Sequence, residues 1–211
     1  MSDHRTWHAV SSELVNRGYR VLAPDLRGHG KSPRGEYTPE NFGADLIDTL
    51  PAGADVAIGH SLGGLSLALA AEALRPQRAV YVDPGFAAPT AVPGMAEMMI
   101  AMADSATAES VRQMCPRWST ADIEAELAGF ALFDRAIGHG LADAFATQDL
   151  VPPRAVVSSL VLLADPSLTI DESTAGRLAA NGFEIRVVRG TGHCIHRDDL
   201  GAFFIALDGW I

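Results

Sequence analysis

Cysteines, basic residues and long apolar runs are scarce in this sequence. Cys115 and Cys194 are the only cysteines among 211 residues. They are too few for a disulfide framework, and we expect a protein of the reducing cytoplasm. The 16 Lys and Arg against 26 Asp and Glu give a net charge of −10, and no basic patch indicates a nucleic-acid partner. No apolar run approaches the ~18 residues of a membrane span, so no membrane partner is expected. Residues 1–5 also lack the pattern of a secretory signal.

Two histidine pairs raise the question of a metal site. His4 and His8 are spaced i, i+4, and His193 and His196 are spaced i, i+3. Neither pair has a nearby Glu-x-x-His motif or the cysteine set that zinc sites use. We therefore expect no metal and no cofactor.

Strand-like and helix-like segments alternate along the chain, which predicts an α/β fold with a mostly parallel sheet flanked by helices. The apolar fraction of 48% and the charged fraction of 20% are ordinary for such a globular domain. The predicted strands are 19–23, 55–58, 78–82, 159–164 and 184–188. The predicted helices outside the central region are 7–16, 39–50, 65–74, 172–181 and 198–207.

Between Pro84 and Pro153 the alternation gives way to consecutive helices, predicted near 94–103, 105–114, 120–132 and 134–146. We interpret this block as a helical lid inserted over the strand ends. The predicted organisation is then a first core part over 1–84, a lid over 85–153 and a second core part over 154–211. Met98, Met99 and Met102 either line an adaptable apolar substrate pocket or pack the lid on the core, because methionine serves both purposes.

The pentapeptide Gly59-His60-Ser61-Leu62-Gly63 follows a predicted strand and precedes a predicted helix. This is the arrangement of a nucleophile elbow, in which a serine stands on a sharp strand-to-helix turn. We expect Gly59 and Gly63 to leave room where a Cβ would meet neighbouring backbone. At the start of the helix, Ser61 would lie where free N–H groups favour developing negative charge. The pattern predicts a serine nucleophile.

A serine hydroxyl needs a base to activate it, and His193 is the best candidate. It follows the strand predicted at 184–188, at the end of the sheet where open α/β folds place their sites. His60 is next to the serine in sequence, so we expect it to shape the elbow and the adjoining pocket. His196 would begin the last helix.

The base in turn needs an acid that fixes its tautomer. Asp165 and Asp83 each follow a predicted strand and precede a proline, and each keeps the chain order Ser, Asp, His. Asp171 is a third option but suits the N-cap of the helix over 172–181. We favour Asp165 and keep Asp83 as the alternative acid.

The run Gly18-Tyr-Arg-Val-Leu-Ala-Pro-Asp-Leu-Arg-Gly-His-Gly-Lys-Ser32, together with the elbow, resembles the α/β-hydrolase superfamily over essentially the whole chain. The resemblance implies the α/β-hydrolase fold with a lid, Ser61 as nucleophile, the Leu62 N–H as an oxyanion donor and His193 as base. It also implies that Asp25, Arg27 and His29 have a structural rather than a catalytic role.

Two features depart from the family pattern. Many relatives place the catalytic aspartate three residues after a glycine that follows the penultimate strand, whereas here Ser167 holds the corresponding position. Some relatives take the acid after the preceding strand, which would select Asp83.

The family also has N-terminal strands and a His-Gly loop that supplies a second oxyanion N–H. The chain begins after that loop, so we expect either a shortened version of a longer protein or a differently assembled site. The first strand would then have an exposed edge.

The resemblance and the elbow together predict a serine hydrolase for a small, largely apolar ester, lactone or related acyl compound. Serine at the elbow argues against the dehalogenase and epoxide hydrolase branches, which use aspartate there. The alternative is a small-ligand-binding protein on the same scaffold, with little or no turnover. The expected partner is a small-molecule substrate, and the expected state is a monomer or homodimer.

Overall fold

A computed structural model describes residues 1–86 and 94–211 of the chain. At its centre is a parallel sheet of four strands in the order β1-β2-β3-β4. The strands are β1 (Val56–His60), β2 (Arg78–Val82), β3 (Ser158–Leu163) and β4 (Glu184–Val187). The α/β prediction is confirmed, and four of the five predicted strands lie within two residues of their predicted bounds.

Side chains alternate between two buried faces of the central strands. Val80 and Leu162 pack with one set of helical residues, which includes Val10, Phe203 and Leu207. Tyr81 and Val161 pack on the opposite face with another set, which includes Leu65, Leu67 and Leu178. Because both faces of the sheet are covered, the central strands are continuously apolar over Ala79–Val82 and Leu160–Leu163 rather than alternating with polar residues.

The helices of the described part flank the sheet and fill the region between β2 and β3. A 3₁₀ turn (His4–Trp7) precedes them, and none of those described is long and apolar enough to cross a membrane. They are α1 (His8–Asn16), α2 (Pro39–Thr49), α3 (Leu62–Leu74), α4 (Met95–Ser105), α5 (Ala108–Met114), α6 (Thr120–Leu132), α7 (Ala136–Thr147), α8 (Glu172–Ala180), α9 (Ile195–Asp198) and α10 (Leu200–Ala206).

Side-chain caps explain several of the helix starts. Thr38 Oγ1 accepts the Asn41 N–H at 3.2 Å, and Pro39 occupies the first turn of α2. Asp171 caps α8 by accepting the Thr174 N–H at 2.7 Å, as its sequence position predicts. The predicted last helix is divided at Asp199, whose extended backbone (φ −153°, ψ 92°) separates α9 from α10.

The strand predicted at 19–23 is absent. Tyr19 and Val21 pack against the core cluster beneath the sheet, so the alternation of buried and exposed residues is real. Among the described residues, however, no strand pairs with this segment, and β1 pairs only with β2. A period of two reports which face is buried, whereas a strand also requires a neighbour for its ladder of hydrogen bonds.

Helices α4 to α7 occupy the region predicted as a lid. Helices α4, α5 and α6 pack around a cluster that includes Val111, Trp118, Ile123 and Phe130, and Met102 packs against this cluster. Helix α7 packs in a separate cluster, through Ile137 and Leu141. Met98 is exposed at 59% of its surface. Residues 87–93, which belong to the predicted lid, lie outside the described residues. The four helices confirm the change predicted after Pro84, from alternating strands and helices to consecutive helices.

Candidate active site

Ser61 stands between β1 and α3 with an unusual backbone conformation, φ 51° and ψ −119°. Positive φ is uncommon for any residue other than glycine and is associated with functional sites. Backbone hydrogen bonds hold the turn on both sides. The Ser61 N–H donates to Val82 O at 3.1 Å, and Ser61 O accepts from the Gly85 N–H at 2.9 Å. The end of β2 therefore fixes the serine at the turn.

Of the two glycine roles predicted at the turn, that of Gly59 is confirmed and that of Gly63 is wrong. A Cβ on Gly59 would lie 2.4 Å from Gly63 O, so that position requires glycine. A Cβ on Gly63 would meet nothing within 4 Å, which contradicts the expected crowding there. The second crowded position is Gly64, where a Cβ would lie 2.8 Å from Pro84 Cβ. The tight turn therefore depends on Gly59, and close packing of α3 on the loop after β2 depends on Gly64.

Leu62 is the first residue of α3, so its N–H has no partner within the helix. Among the described residues, no acceptor hydrogen-bonds to it. The adjacent Ser61 side chain and the positive end of α3 lie at the same point. An oxyanion formed at the serine would therefore find one free donor in Leu62.

His193 lies in the loop after β4, and three contacts position it. Its Nδ1 is 2.7 Å from Asp83 Oδ2. Its backbone carbonyl accepts a hydrogen bond from His60 Nε2 at 2.9 Å, and the two imidazole rings are 4.5 Å apart. Since His60 directly precedes Ser61, these contacts bring the histidine loop to the elbow.

Asp83 is the carboxylate that contacts His193, and it is fully buried. Its Oδ1 accepts from the Ala164 N–H at 3.2 Å and from Ser167 Oγ at 2.6 Å. Its Oδ2 accepts from the Leu168 N–H at 3.4 Å in addition to His193. These contacts hold the buried carboxylate in one orientation.

Asp165, which we favoured from the sequence, does not contact the histidine. It is exposed, and its backbone N–H donates to Thr191 O at 3.0 Å. Both aspartates follow the carboxyl ends of neighbouring strands, so chain order leaves the choice open. The contacts therefore favour Asp83 over Asp165 as the partner of His193, and Ser167 Oγ donates a hydrogen bond to Asp83.

His60 and His196 form a neutral aromatic layer behind the histidine loop. Burial lowers the pKa of both imidazoles well below the usual value, and the charge of Arg197 lowers them further. His196 stacks on Trp7 with ring centroids 4.3 Å apart. Both of its ring nitrogens are buried without a hydrogen-bond partner among the described residues. His60 therefore contacts the loop of His193 through its hydrogen bond and its ring, and lies beside His196 rather than beside the predicted methionines.

A cavity of about 360 Å³ opens beside His193. Its walls are the loop between α5 and α6 and the loop before α9, with Met114, Cys115, Arg117, Trp118 and Cys194 among the lining residues. Met98, Met99 and Met102 are not among them. Sequence reasoning missed Arg117 and Trp118 because a short loop between two helices shows no motif.

A buried ion pair joins the helices after β2 to the loop of His193. Arg197 Nη1 donates to Glu126 Oε2 at 2.7 Å, with both side chains at most 10% exposed. Arg197 Nη2 also donates to Cys194 Sγ at 3.1 Å, and the guanidinium lies 3.7 Å over the Trp118 ring. Arg197 thus connects Glu126 of α6 to Cys194, the residue that follows His193.

One group of three potential metal ligands, Asp3, His4 and Asp25, occurs within the described residues. His4 Nδ1 is 2.7 Å from Asp25 Oδ1, and Asp3 forms an ion pair with Arg5. The Lys31 N–H also donates to Asp25. Both carboxylates therefore have hydrogen-bond or ionic partners within the protein. The contacts join the N-terminal turn to its neighbouring loop.

The sequence is similar to several known proteins. Residues 1–206 match the model of the alpha/beta hydrolase family. Two curated relatives are an epoxide hydrolase from Caballeronia sordidicola, 36% identical over 80 residues, and the rice (Oryza sativa subsp. indica) protein named probable esterase PIR7A, 40% identical over 73 residues. These matches cover 35% and 31% of this chain, and 24% and 28% of the relatives.

Among solved structures, N-formylmaleamic acid deformylase from Pseudomonas putida S16 has a similar fold. Its TM-score is 0.78 at 21% identity, over 98% of this chain and 87% of that chain. A likeness at this identity concerns the fold alone.

Proposed function

The chain belongs to the alpha/beta hydrolase family, and from that premise we propose that it is a serine hydrolase with Ser61, His193 and Asp83 as its triad. The observation on which this proposal depends most is the 2.7 Å contact between His193 Nδ1 and the buried Asp83, directly beside an elbow that presents a serine. A histidine held by a carboxylate next to a hydroxyl nucleophile is the arrangement for acyl transfer.

The hydrogen bond to Asp83 assigns the proton of His193. When Nδ1–H donates to the carboxylate, Nε2 of the neutral ring is left as an acceptor. Nε2 can then take the proton of Ser61 Oγ as the oxygen attacks an acyl carbon. The buried Asp83 anion stabilises the imidazolium that results.

Negative charge then develops on the acyl oxygen, and the Leu62 N–H stabilises it at the positive end of α3. His193 returns the proton to the leaving group, and the acyl group remains on Ser61. In the second half, water attacks the acyl-serine with His193 again as the base, and the free serine is restored.

The substrate we propose is a small, largely apolar carboxylic ester, lactone or related acyl compound. The cavity beside His193 supports this class, because Met114 and Trp118 contribute apolar surface next to the base. One curated relative also has esterase in its name. Serine at the nucleophile position forms an acyl ester with such a substrate.

Hydrolysis of 4-nitrophenyl butyrate tests the proposal. Ser61→Ala and His193→Ala should each lower kcat/KM by a factor of 10³ or more, because each removes a member of the triad. His139→Ala is the matched control, since His139 is an exposed residue of α7, and its activity should equal that of the parent. Unchanged melting temperatures would show that the variants are folded.

Retained turnover in folded Ser61→Ala would contradict the mechanism. A parent protein that shows no turnover, but whose melting temperature rises with added small acyl compounds, would support a binding protein instead.

A further inference from the structure

The cavity beside His193 combines apolar surface with the charged side chains of Arg117 and Asp198. Met114 is 60% exposed and contributes apolar surface. Arg117 lies three residues later in the same wall, and 47% of its side chain is exposed. At about 360 Å³, the space is within the range of small-molecule pockets and is large enough for an aromatic ring with one polar substituent.

The guanidinium of Arg117 has most of its donors free. Within the described residues its only ionic partner is Asp198, at a long distance of 3.4 Å, and the guanidinium donates no hydrogen bond there. Asp198 in turn already accepts the Trp118 indole N–H at 2.8 Å and the Gly192 N–H at 2.6 Å. Asp198 therefore makes closer contacts with these two donors than with Arg117, and most N–H donors of the Arg117 guanidinium remain available to a ligand in the cavity.

Arg197, the second guanidinium nearby, is not available in the same way. It is 8% exposed and is held by Glu126, Cys194 and the face of Trp118. Arg117 is therefore the cation that a ligand in this cavity would meet.

The position of the cavity indicates which part of a substrate it holds. His193 lines it, and in the proposed mechanism this histidine gives its proton to the departing oxygen. A group seated against the imidazole is therefore on the leaving-group side of the scissile bond.

We propose that the preferred substrates are esters whose alcohol or phenol part carries a carboxylate, which binds to Arg117 while the ring or chain packs on Met114 and Trp118. This inference rests on the proposed function. In the reaction, the bond from Ser61 Oγ to the acyl carbon forms and the bond to the leaving oxygen breaks. The serine proton passes through His193 to that oxygen, so no oxidant, reductant or further reactant is needed.

The test compares 4-(butyryloxy)benzoate with its neutral analogue 4-(butyryloxy)benzamide. The parent should prefer the anionic ester, and Arg117→Gln should lower the ratio of the two kcat/KM values about tenfold, through the anionic ester alone. Arg117→Lys should recover part of the ratio because it keeps the charge. Arg112→Gln is the matched control, since Arg112 is an exposed arginine on α5 outside the cavity lining, and it should leave the ratio unchanged.

Two results would overturn the inference. The first is an equal ratio in the parent and in folded Arg117→Gln, with both esters cleaved, and the proposed function would survive it. The second is failure to cleave either ester. If Ser61 still reacts with a fluorophosphonate, only the substrate class is wrong, whereas a parent that neither cleaves nor reacts would overturn the proposed function as well.

Discussion

Four donors converge on the carboxylate of Asp83: the N–H groups of Ala164 and Leu168, the hydroxyl of Ser167 and His193 Nδ1. Such a set fixes the orientation of the carboxylate before any substrate arrives. It also places the anion where an imidazolium will form. At the residue scale, Asp83 is proposed as the acid because of its contacts rather than its place in the sequence.

Asp83→Asn and Asp165→Asn form a matched pair that tests this assignment. Asp83→Asn should lower kcat by about 10³ to 10⁴, because an amide beside Nδ1 favours the wrong tautomer of His193. Asp165→Asn should leave kcat within about twofold, since Asp165 is exposed and its only recorded hydrogen bond in the described structure is through its backbone. Steady-state kinetics on one ester gives both values. A larger loss in Asp165→Asn than in Asp83→Asn would reverse the assignment.

The sequence indicated the proposed nucleophile and the proposed base because each follows a predicted strand in a glycine-containing segment. The choice between Asp83 and Asp165 was not local, since both follow a strand and precede a proline. It depends on which strand end faces His193, and only the packed sheet decides that. Arg197 and Glu126 were missed for the same reason, because they are 71 residues apart and meet only when α6 packs beside α9.

At the scale of elements, the strand β1, the turn at Ser61 and the helix α3 act as one unit. Ser61 has positive φ, and the carbonyl of Gly63 lies where a side chain on Gly59 would be. The turn can be this tight only because Gly59 has no Cβ. Gly63, four residues later, is open to its surroundings.

Gly59→Ala and Gly63→Ala therefore should differ sharply. We expect Gly59→Ala to lower the free energy of unfolding by more than about 2 kcal/mol, since the new methyl group would overlap backbone that cannot easily move. Gly63→Ala should change it by less than about 1 kcal/mol, because alanine favours a helix over glycine and meets no clash. Urea denaturation followed by circular dichroism measures both. Equal stability of the two variants would contradict the described turn.

The segment 19–23 and the last helix show where element prediction ends. The sequence over 19–23 predicted a strand, and Tyr19 and Val21 do pack against the core as partly buried residues, but a strand also needs a neighbouring strand, which the local sequence does not show. Similarly, the apolar pattern over 198–207 continues through Asp199, whose carboxylate caps α10 by accepting the Ala202 N–H at 2.8 Å. A capping residue within a helical pattern starts a new helix.

At the scale of the whole molecule, buried histidines link stability to pH. Burial lowers the pKa of His29 to about 4 from its ordinary value of 6.5, and it lowers those of His60 and His196 in the same direction. Between the two pKa values the unfolded chain binds a proton that the folded protein does not. Stability from these groups is therefore complete above about pH 6.5 and is lost progressively as the pH falls toward the folded value.

For His29 alone, the expected loss between pH 7.5 and pH 5 is about 2 kcal/mol of unfolding free energy. In His29→Asn, the difference in unfolding free energy between pH 7.5 and pH 5 should be smaller by about this amount than in the parent. This holds whatever the substitution does to stability at either pH. His139→Asn, which replaces the exposed histidine of α7, should keep the difference found for the parent. Urea titrations at both pH values give the comparison. The same pH dependence in the parent and His29→Asn would show that His29 does not stay neutral in the folded protein.

The central claim is that Ser61 is an activated nucleophile, and intact-mass spectrometry after exposure to a fluorophosphonate tests it most directly. The account predicts a single adduct on the parent and none on Ser61→Ala. His193→Ala should be labelled far more slowly than the parent, because the serine then lacks its base. No adduct on the folded parent, or an adduct of equal yield on Ser61→Ala, would contradict the claim.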